Sequence, residues 1–204
     1  MMLITAVEPR RKSLSALFID GEFAVNIDTE TLLKSGFRAG QEISDEQLHE
    51  LIQASDSRRA SEKALYLLER RSYSQKELAD KISRVASREA AEAAAQHMAD
   101  IGLVNDEDYA KRLAADLLCR KGYSASRTRR ELQQKGIDRE LAEQIIEEAV
   151  PDPVEKIKEI LRKKYGGMPQ DEKGRRRSIA ALQRLGYFWD DIRTAINEME
   201  NEDE

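Results

Sequence analysis

The chain has 204 residues, of which 40% are hydrophobic, 36% charged and only 5% aromatic, a mixture that suits thin helical modules and leaves little bulk to wall a large ligand cavity. Its 34 Lys and Arg against 39 Asp and Glu give a formal net charge of −5. A uniformly basic nucleic-acid module is thereby excluded, so any binding of a polyanion must come from local clusters.

Three short β-branched or aromatic runs open the chain: Leu3-Ile4-Thr5-Ala6-Val7, Leu14-Ser15-Ala16-Leu17-Phe18-Ile19 and Glu22-Phe23-Ala24-Val25-Asn26-Ile27. Asp20-Gly21 between the last two signals a tight hairpin, and Pro9-Arg10-Arg11-Lys12 reads as a basic connection between the first two strands. So small an antiparallel sheet needs a helix to lean on. Asp28 or Thr29 is set to cap a short helix that Gly36 stops, and Ser44-Asp45-Glu46-Gln47 has the spacing of a capping box, followed by Leu48, Leu51 and Ile52 on one stripe. Residues 54–60 are polar and read either as a linker or as more helix.

From residue 61 onward a helical phrase recurs three times: a striped helix, a small polar or glycine break, a short middle helix and a closing helix. The breaks are Arg71-Ser72-Tyr73-Ser74, Lys121-Gly122-Tyr123-Ser124 and Lys164-Tyr165-Gly166-Gly167. The second and third copies are about fifty residues apart, inside the period range of helical arrays. In the first copy Ala64, Leu67 and Leu68 line the opening helix, Ser74 heads a second capping box, and an alanine-rich helix offers Ala91, Ala94, Ala95, Met98 and Ile101 before Gly102. The second copy starts at Asn105-Asp106-Glu107-Asp108, with Tyr109, Leu113 and Leu117 as its inner stripe and a much more basic middle helix. In the third, Asp152 caps, Pro153 takes the first helical position, and the loop at Gly166-Gly167-Met168-Pro169 is expected to be a longer, mobile connection. The chain is therefore read as mainly α. It divides into an N-terminal hairpin with capping helices over residues 1–60, three three-helix repeats over 61–104, 105–150 and 151–204, and an acidic tail at 198–204.

Enzyme signatures are not found: the chain has no glycine-rich phosphate loop, no His-x-x-x-His and no Cys-x-x-Cys pair. Asp106/Asp108 and Asp190/Asp191 read as helix-start electrostatics rather than a metal site, and no cofactor is implied. The single cysteine, Cys119, rules out a disulfide framework within the chain and reads as a structural thiol. No membrane-length apolar run and no cleavable-signal pattern is seen, so a reduced cytoplasmic setting is expected. Arg127, Arg129 and Arg130 crowd one middle helix, and Arg175, Arg176 and Arg177 sit at comparable positions in the third copy. Such recurrence would set two basic ridges on one side of a stack, suiting an acidic protein groove or a phosphate backbone. A solvated helix face is the other reading, and both stay open. The candidate contacts for a partner or DNA are these six arginines with Arg70, Arg71, Lys135, Lys163 and Lys164. The six tyrosines, placed near helix ends or on stripes, read as packing groups rather than base-stacking platforms.

With these residues placed, the chain resembles the RecX regulatory family, bacterial modulators of the RecA recombinase. The phrases that carry the likeness are Ala64-Leu65-Tyr66-Leu67-Leu68 with Arg70-Arg71-Ser72-Tyr73-Ser74 and Glu77-Leu78, then Gly102-Leu103-Val104-Asn105-Asp106-Glu107-Asp108-Tyr109-Ala110. Gly122 with Arg127, Arg130-Glu131-Leu132 and Lys135-Gly136-Ile137 follow in the same order. The hairpin Ile19-Asp20-Gly21-Glu22 resembles an extended form of the family, and the third copy matches more loosely through Lys163-Lys164-Tyr165 and Arg184-Leu185-Gly186-Tyr187. Where the family carries an acidic pair after the first glycine, this chain has Asn105-Asp106. The resemblance implies three tandem units, each distantly like a helix-turn-helix module, in an elongated curved array. It implies a non-enzymatic monomer that lies in the groove of the RecA–single-stranded DNA filament and controls ATP hydrolysis and strand exchange in recombination, repair and the SOS response. Single- or double-stranded DNA is a further implied partner, and a membrane is not.

Overall fold

A computed structural model describes residues 1–169 and 171–202, so Asp203 and Glu204 of the expected acidic tail lie outside the described residues. The chain divides into two units, Met1–Asn105 and Asp106–Glu204.

In the first unit, β1 (Met2–Arg10), β2 (Leu14–Ile19), β3 (Glu22–Asp28) and the two-residue β4 (Glu42–Ile43) form an antiparallel sheet in the order β3-β2-β1-β4. Pro9 and Arg10 belong to β1, where they pair with Ser15 and Leu14, so the basic connection shrinks to residues 11–13. Asp20 and Gly21 take φ of 52° and 89°, the two positive values that match a tight hairpin to the right-handed twist of its strands. One face of the sheet buries Ile4, Leu17, Ile27 and Ile43 completely against Leu32 of α1 (Thr29–Ser35) and Leu51 of α2 (Asp45–Leu68). Full burial of each such side chain contributes about 1.5–3 kcal/mol, which is what a four-stranded sheet with one wet face needs. Asp28 caps α1 by accepting from the Thr31 amide at 2.9 Å, and Gly36 stops it in the left-handed conformation.

Helix α2 opens on the Ser44/Gln47 capping box and runs unbroken through residues 54–60, so the division expected at residue 60 falls inside it. Its first half covers the sheet, where the Ser55 hydroxyl accepts from the Asp28 amide at 2.8 Å. Its second half presents Ala60, Ala64 and Leu67 to α3 (Gln75–Ile82) and α4 (Arg88–Asp100), with Leu78, Ile82, Ala91, Ala95 and Met98 completing the core. Ile101, expected on the inner stripe, is exposed. After Asp100 the chain turns at Gly102, and the Leu103 and Val104 amides bond back to the Met98 carbonyl, which carries Val104 into the core instead.

The second unit holds two helix trios. Helix α5 (Asp106–Ala115) continues into a π-helical turn at Asp116–Arg120, where the Lys121 amide reaches back to Asp116 at 3.0 Å. Helices α6 (Ala125–Gln134) and α7 (Arg139–Ala149) complete this trio around Ala110, Ala114, Leu132, Ile137, Ile145 and Ile146. The other trio is α8 (Pro153–Tyr165), α9 (Glu172–Arg184) and α10 (Trp189–Glu202), packed around Ile157, Leu161, Leu182, Tyr187, Ile192 and Ile196. Asp152 caps α8 through the Glu155 amide at 3.0 Å, with Pro153 in the first turn. Cys119 lies in the π-helical turn and is exposed, so it is not the packed structural thiol that its sequence position suggested. The wider turn rotates Leu117 and Leu118 inward instead.

Candidate functional site

The two basic middle helices end alike. Gly136 and Gly186 both take positive φ, and the following amides, Ile137 and Tyr187, bond back to Leu132 and Leu182 at 3.1 and 3.3 Å. That shared glycine stop fixes the register between the copies. Counting back from the glycines, Arg177 matches Arg127 and the buried Ser178 matches the buried Thr128, while Arg175 and Arg176 fall opposite Ala125 and Ser126. Arg129 and Arg130 fall opposite Ile179 and Ala180. Of the six arginines, therefore, only Arg127 and Arg177 occupy comparable positions, and the other four do not. Helix α9 begins earlier relative to its glycine, on its Asp171 cap, and carries two of its three clustered arginines farther from that glycine than any arginine of α6.

Many of the candidate cations are spent inside their own unit. Arg127 lies over the Tyr123 ring at 3.8 Å, donates to the Arg184 carbonyl and stands 3.9 Å from Glu131. Arg129 approaches Glu143 of α7 at 3.6 Å, Arg175 reaches Glu200 of α10 at 2.7 Å, and Arg176 pairs with Glu172. Lys163 pairs with Glu159 at 2.5 Å, and Lys135 sits half-buried at the end of α6. In the first unit Arg71 lies over Tyr73 at 3.7 Å and forks onto Glu77, whose hydrogen bond holds the guanidinium pKa above its ordinary value. Arg130, Lys164 and Arg177 are exposed and have no carboxylate partner among the described residues, and Arg70 contacts only the Tyr66 ring, at 4.3 Å. Among the candidate residues, these four are the cations left to meet a partner.

Tyrosine roles divide in the same way. Tyr73 and Tyr187 are buried as packing groups, and burial, helped by the Glu159 carboxylate, pushes the Tyr187 phenol up to about 12. Tyr66 departs from the packing expectation: it is 45% exposed, with Lys63 and Arg70 both over its ring. Sequence spacing missed a further feature, the seam between the trios of the second unit. There Ser124 Oγ donates to the Gly186 carbonyl at 2.7 Å while accepting from the Arg127 amide at 3.2 Å. No local pattern announces a contact between residues so far apart in the chain.

The same seam forms a cleft of about 270 Å³ lined by Leu118, Tyr123, Val150, Pro151, Tyr187 and Phe188, below the usual range of small-molecule sites, about 300–1,000 Å³. Lys158, buried on α8, is held between Glu155 at 2.5 Å and Glu198 at 2.9 Å, and those hydrogen bonds raise its pKa. With both carboxylates engaged it has the character of a structural pair rather than a reactive amine. No helix among the described residues is long and apolar enough to cross a membrane.

Comparison with known proteins agrees with this architecture. A family model described as RecX, second three-helix domain, matches residues 105–146. A curated protein from Caldanaerobacter subterraneus subsp. tengcongensis, named regulatory protein RecX, is 33% identical across 96% of this chain and 99% of its own length. Another of that name from Bacillus velezensis is 25% identical, covering 100% of this chain and 81% of the relative. Among solved structures, a regulatory protein RecX superposes with a TM-score of 0.59 at 18% identity over 97% of this chain and 100% of that one. RecX from Lactobacillus salivarius gives 0.56 at 23% identity over 72% and 98% of the two chains. At those identities the structural likeness speaks to fold alone.

Proposed function

Because this chain belongs to the RecX family of regulatory proteins, we propose that it regulates the RecA recombinase, binding the RecA–single-stranded DNA filament and changing its ATP hydrolysis, strand exchange and lifetime. The observation that carries this reading is the identity of 33% sustained over nearly the whole of both chains. The helix trios add a physical rationale. Several small modules in series offer repeated weak contacts to a polymer whose own subunits repeat, and linked weak contacts add through effective concentration. Arg130, Lys164 and Arg177 supply cations for acidic groups or phosphates on such a polymer. The protein acts by binding rather than by chemistry of its own, as a monomer in the cytoplasm, with the region up to residue 104, in which α2 joins the sheet to the first trio, and the segments 105–150 and 151–204 as its working parts.

The test is the DNA-dependent ATPase of purified recombinase with and without this protein. A changed rate or filament lifetime at micromolar concentration supports the proposal, and unaltered values reject it. A second reading, a helical module that binds nucleic acid without the recombinase, draws on the same unpaired cations. It requires binding to naked DNA that weakens steeply with salt, and a net charge of −5 works against it.

A further inference from the structure

The first unit carries a cationic cleft that the basic middle helices do not share. The loop at residues 11–13 brings Lys12 beside the second half of α2, and the two walls enclose about 590 Å³ lined by Lys12, Leu14, Arg59, Lys63, Tyr66 and Val85 with Glu62 at the edge. Leu14, Val85 and the Tyr66 ring make an apolar floor, and Lys12, Lys63 and Arg70 surround it with charge. Lys63 Nζ lies 4.7 Å and the Arg70 guanidinium carbon 4.3 Å from the centre of the Tyr66 ring.

Charge balance here is lopsided. Of the nearby acids, Glu62 is committed to Arg58 at 2.7 Å and Asp56 to Arg59 at 3.5 Å. Arg11, Lys12, Lys63 and Arg70 have no carboxylate partner among the described residues. Clustered cations with no internal partner raise one another's field and draw an anion. Lys12 and Ser13 also both hold positive φ, 61° and 56°, a conformation that costs any residue with a Cβ and that glycine would adopt freely. The chain thus keeps a lysine at a place where backbone geometry favours glycine.

We propose that this cleft between the β1–β2 loop and α2 is a binding site for single-stranded nucleic acid, with phosphates drawing off Lys12, Lys63 and Arg70 and a base taking the place of one of the two cations that lie over the Tyr66 ring. An exposed aromatic ring among unpaired cations, over an apolar floor, is the combination that unstacked bases and their backbone require. An acidic peptide would use the cations and leave the ring idle. A duplex keeps its bases inside and does the same. On the other side of the hairpin, Leu14 also borders an open groove with Arg10, Arg11 and the exposed Phe23, which gives the strand a continuation. This site is independent of the recombinase reading, since it engages the strand directly.

The experiment is fluorescence anisotropy of a labelled oligothymidylate with the full chain, competed by unlabelled duplex of equal length and by poly-glutamate. Preference for the single strand is expected, with Tyr66→Ala weakening it by about tenfold and Tyr66→Phe keeping most of it. The double variant Lys12→Ala, Lys63→Ala should weaken binding and flatten its logarithmic salt dependence by about 0.7 per cation removed. Tyr66 is exposed enough that its truncation leaves the core intact, and Lys12→Glu tests the loop without touching α2. Absence of oligothymidylate binding, equal affinity of Tyr66→Ala and the parent, or competition by poly-glutamate as strong as by the strand would each overturn the proposal. Because no recombinase is present, the outcome is separable from that of the ATPase test.

Discussion

Ser124 and Gly186 are joined by a 2.7 Å hydrogen bond from the serine hydroxyl to the glycine carbonyl. It is one of three bonds with a common logic. The Ser124 amide donates to Leu185 at 3.0 Å and the Arg127 guanidinium to Arg184, so the start of α6 satisfies the carbonyls that the end of α9 leaves without helical partners. A cation at a helix C-terminus is also favoured by the helix dipole. The seam thus couples two helix trios through backbone groups that would otherwise depend on water.

Gly186→Ala tests that seam. A Cβ there would stand 2.6 Å from Ser124 Oγ and 2.7 Å from Arg127 Cβ, on a backbone with φ of +96°. Gly166, with φ of +71° and nothing within 4 Å of its Cβ position, is the matched comparison in the same unit. Gly166→Ala should cost about 1–2 kcal/mol, the left-handed penalty alone, and Gly186→Ala clearly more in urea unfolding. Equal losses would mean that the close approach at Gly186 adds nothing.

Much of this was legible because it is local. Asp28, Ser44, Ser74 and Asp152 all cap helices in the structure, and Gly36 ends one with positive φ, since cap chemistry is decided within a few residues. Strand β4 escaped notice because two residues carry no periodicity. The arginines were misjudged for a different reason. Their sequence clusters look alike, but helix register is set by where each helix stops, and the partner of Arg127 lies on another helix trio. Tyr66 sits at an ordinary stripe position, and nothing nearby in sequence shows that Lys12 comes to its side.

Arg127 and Arg130 should behave differently although both belong to the same basic helix. Arg127→Ala removes the Tyr123 and Arg184 contacts and should lower stability by about 1–2 kcal/mol, as loss of a charge-assisted hydrogen bond does. Arg130→Ala should change stability by no more than about 0.5 kcal/mol while weakening association with the recombinase filament. Thermal unfolding and filament co-sedimentation of both variants separate the roles. Similar stability losses would place Arg130 in the fold and remove it from the binding surface.

Thr128 is fully buried and its hydroxyl has no hydrogen-bond partner among the described residues, whereas Ser178, its counterpart on α9, donates to the Arg175 carbonyl at 2.9 Å. An unsatisfied buried hydroxyl is a liability of about 1–3 kcal/mol. Thr128→Val keeps the shape and removes the polar atom, so it should leave the protein at least as stable in denaturant unfolding. Ser178→Ala should destabilise it by about 0.5–1.5 kcal/mol. A loss in Thr128→Val as large as in Ser178→Ala would show that the threonine hydroxyl is in fact satisfied.

Glu159 and Tyr187 should set opposite pH limits on the same trio. Hydrogen bonds from Lys156 and Lys163 hold the Glu159 carboxyl at about 2, below its reference of 4.5. A depressed carboxylate stabilises the fold above its unfolded value and ceases to do so as pH falls from 4.5 towards 2. Tyr187 is the reverse: burial favours its neutral phenol, so its contribution is complete below 10 and disappears as pH rises through about 12. Melting temperature against pH should therefore decline at both ends. Glu159→Gln should flatten the acid limb and leave most of the alkaline one, because burial rather than the carboxylate is the larger cause at Tyr187. Tyr187→Phe should flatten the alkaline limb alone. An acid limb of the same slope in Glu159→Gln and the parent would show that the two lysines do not hold that carboxylate in solution.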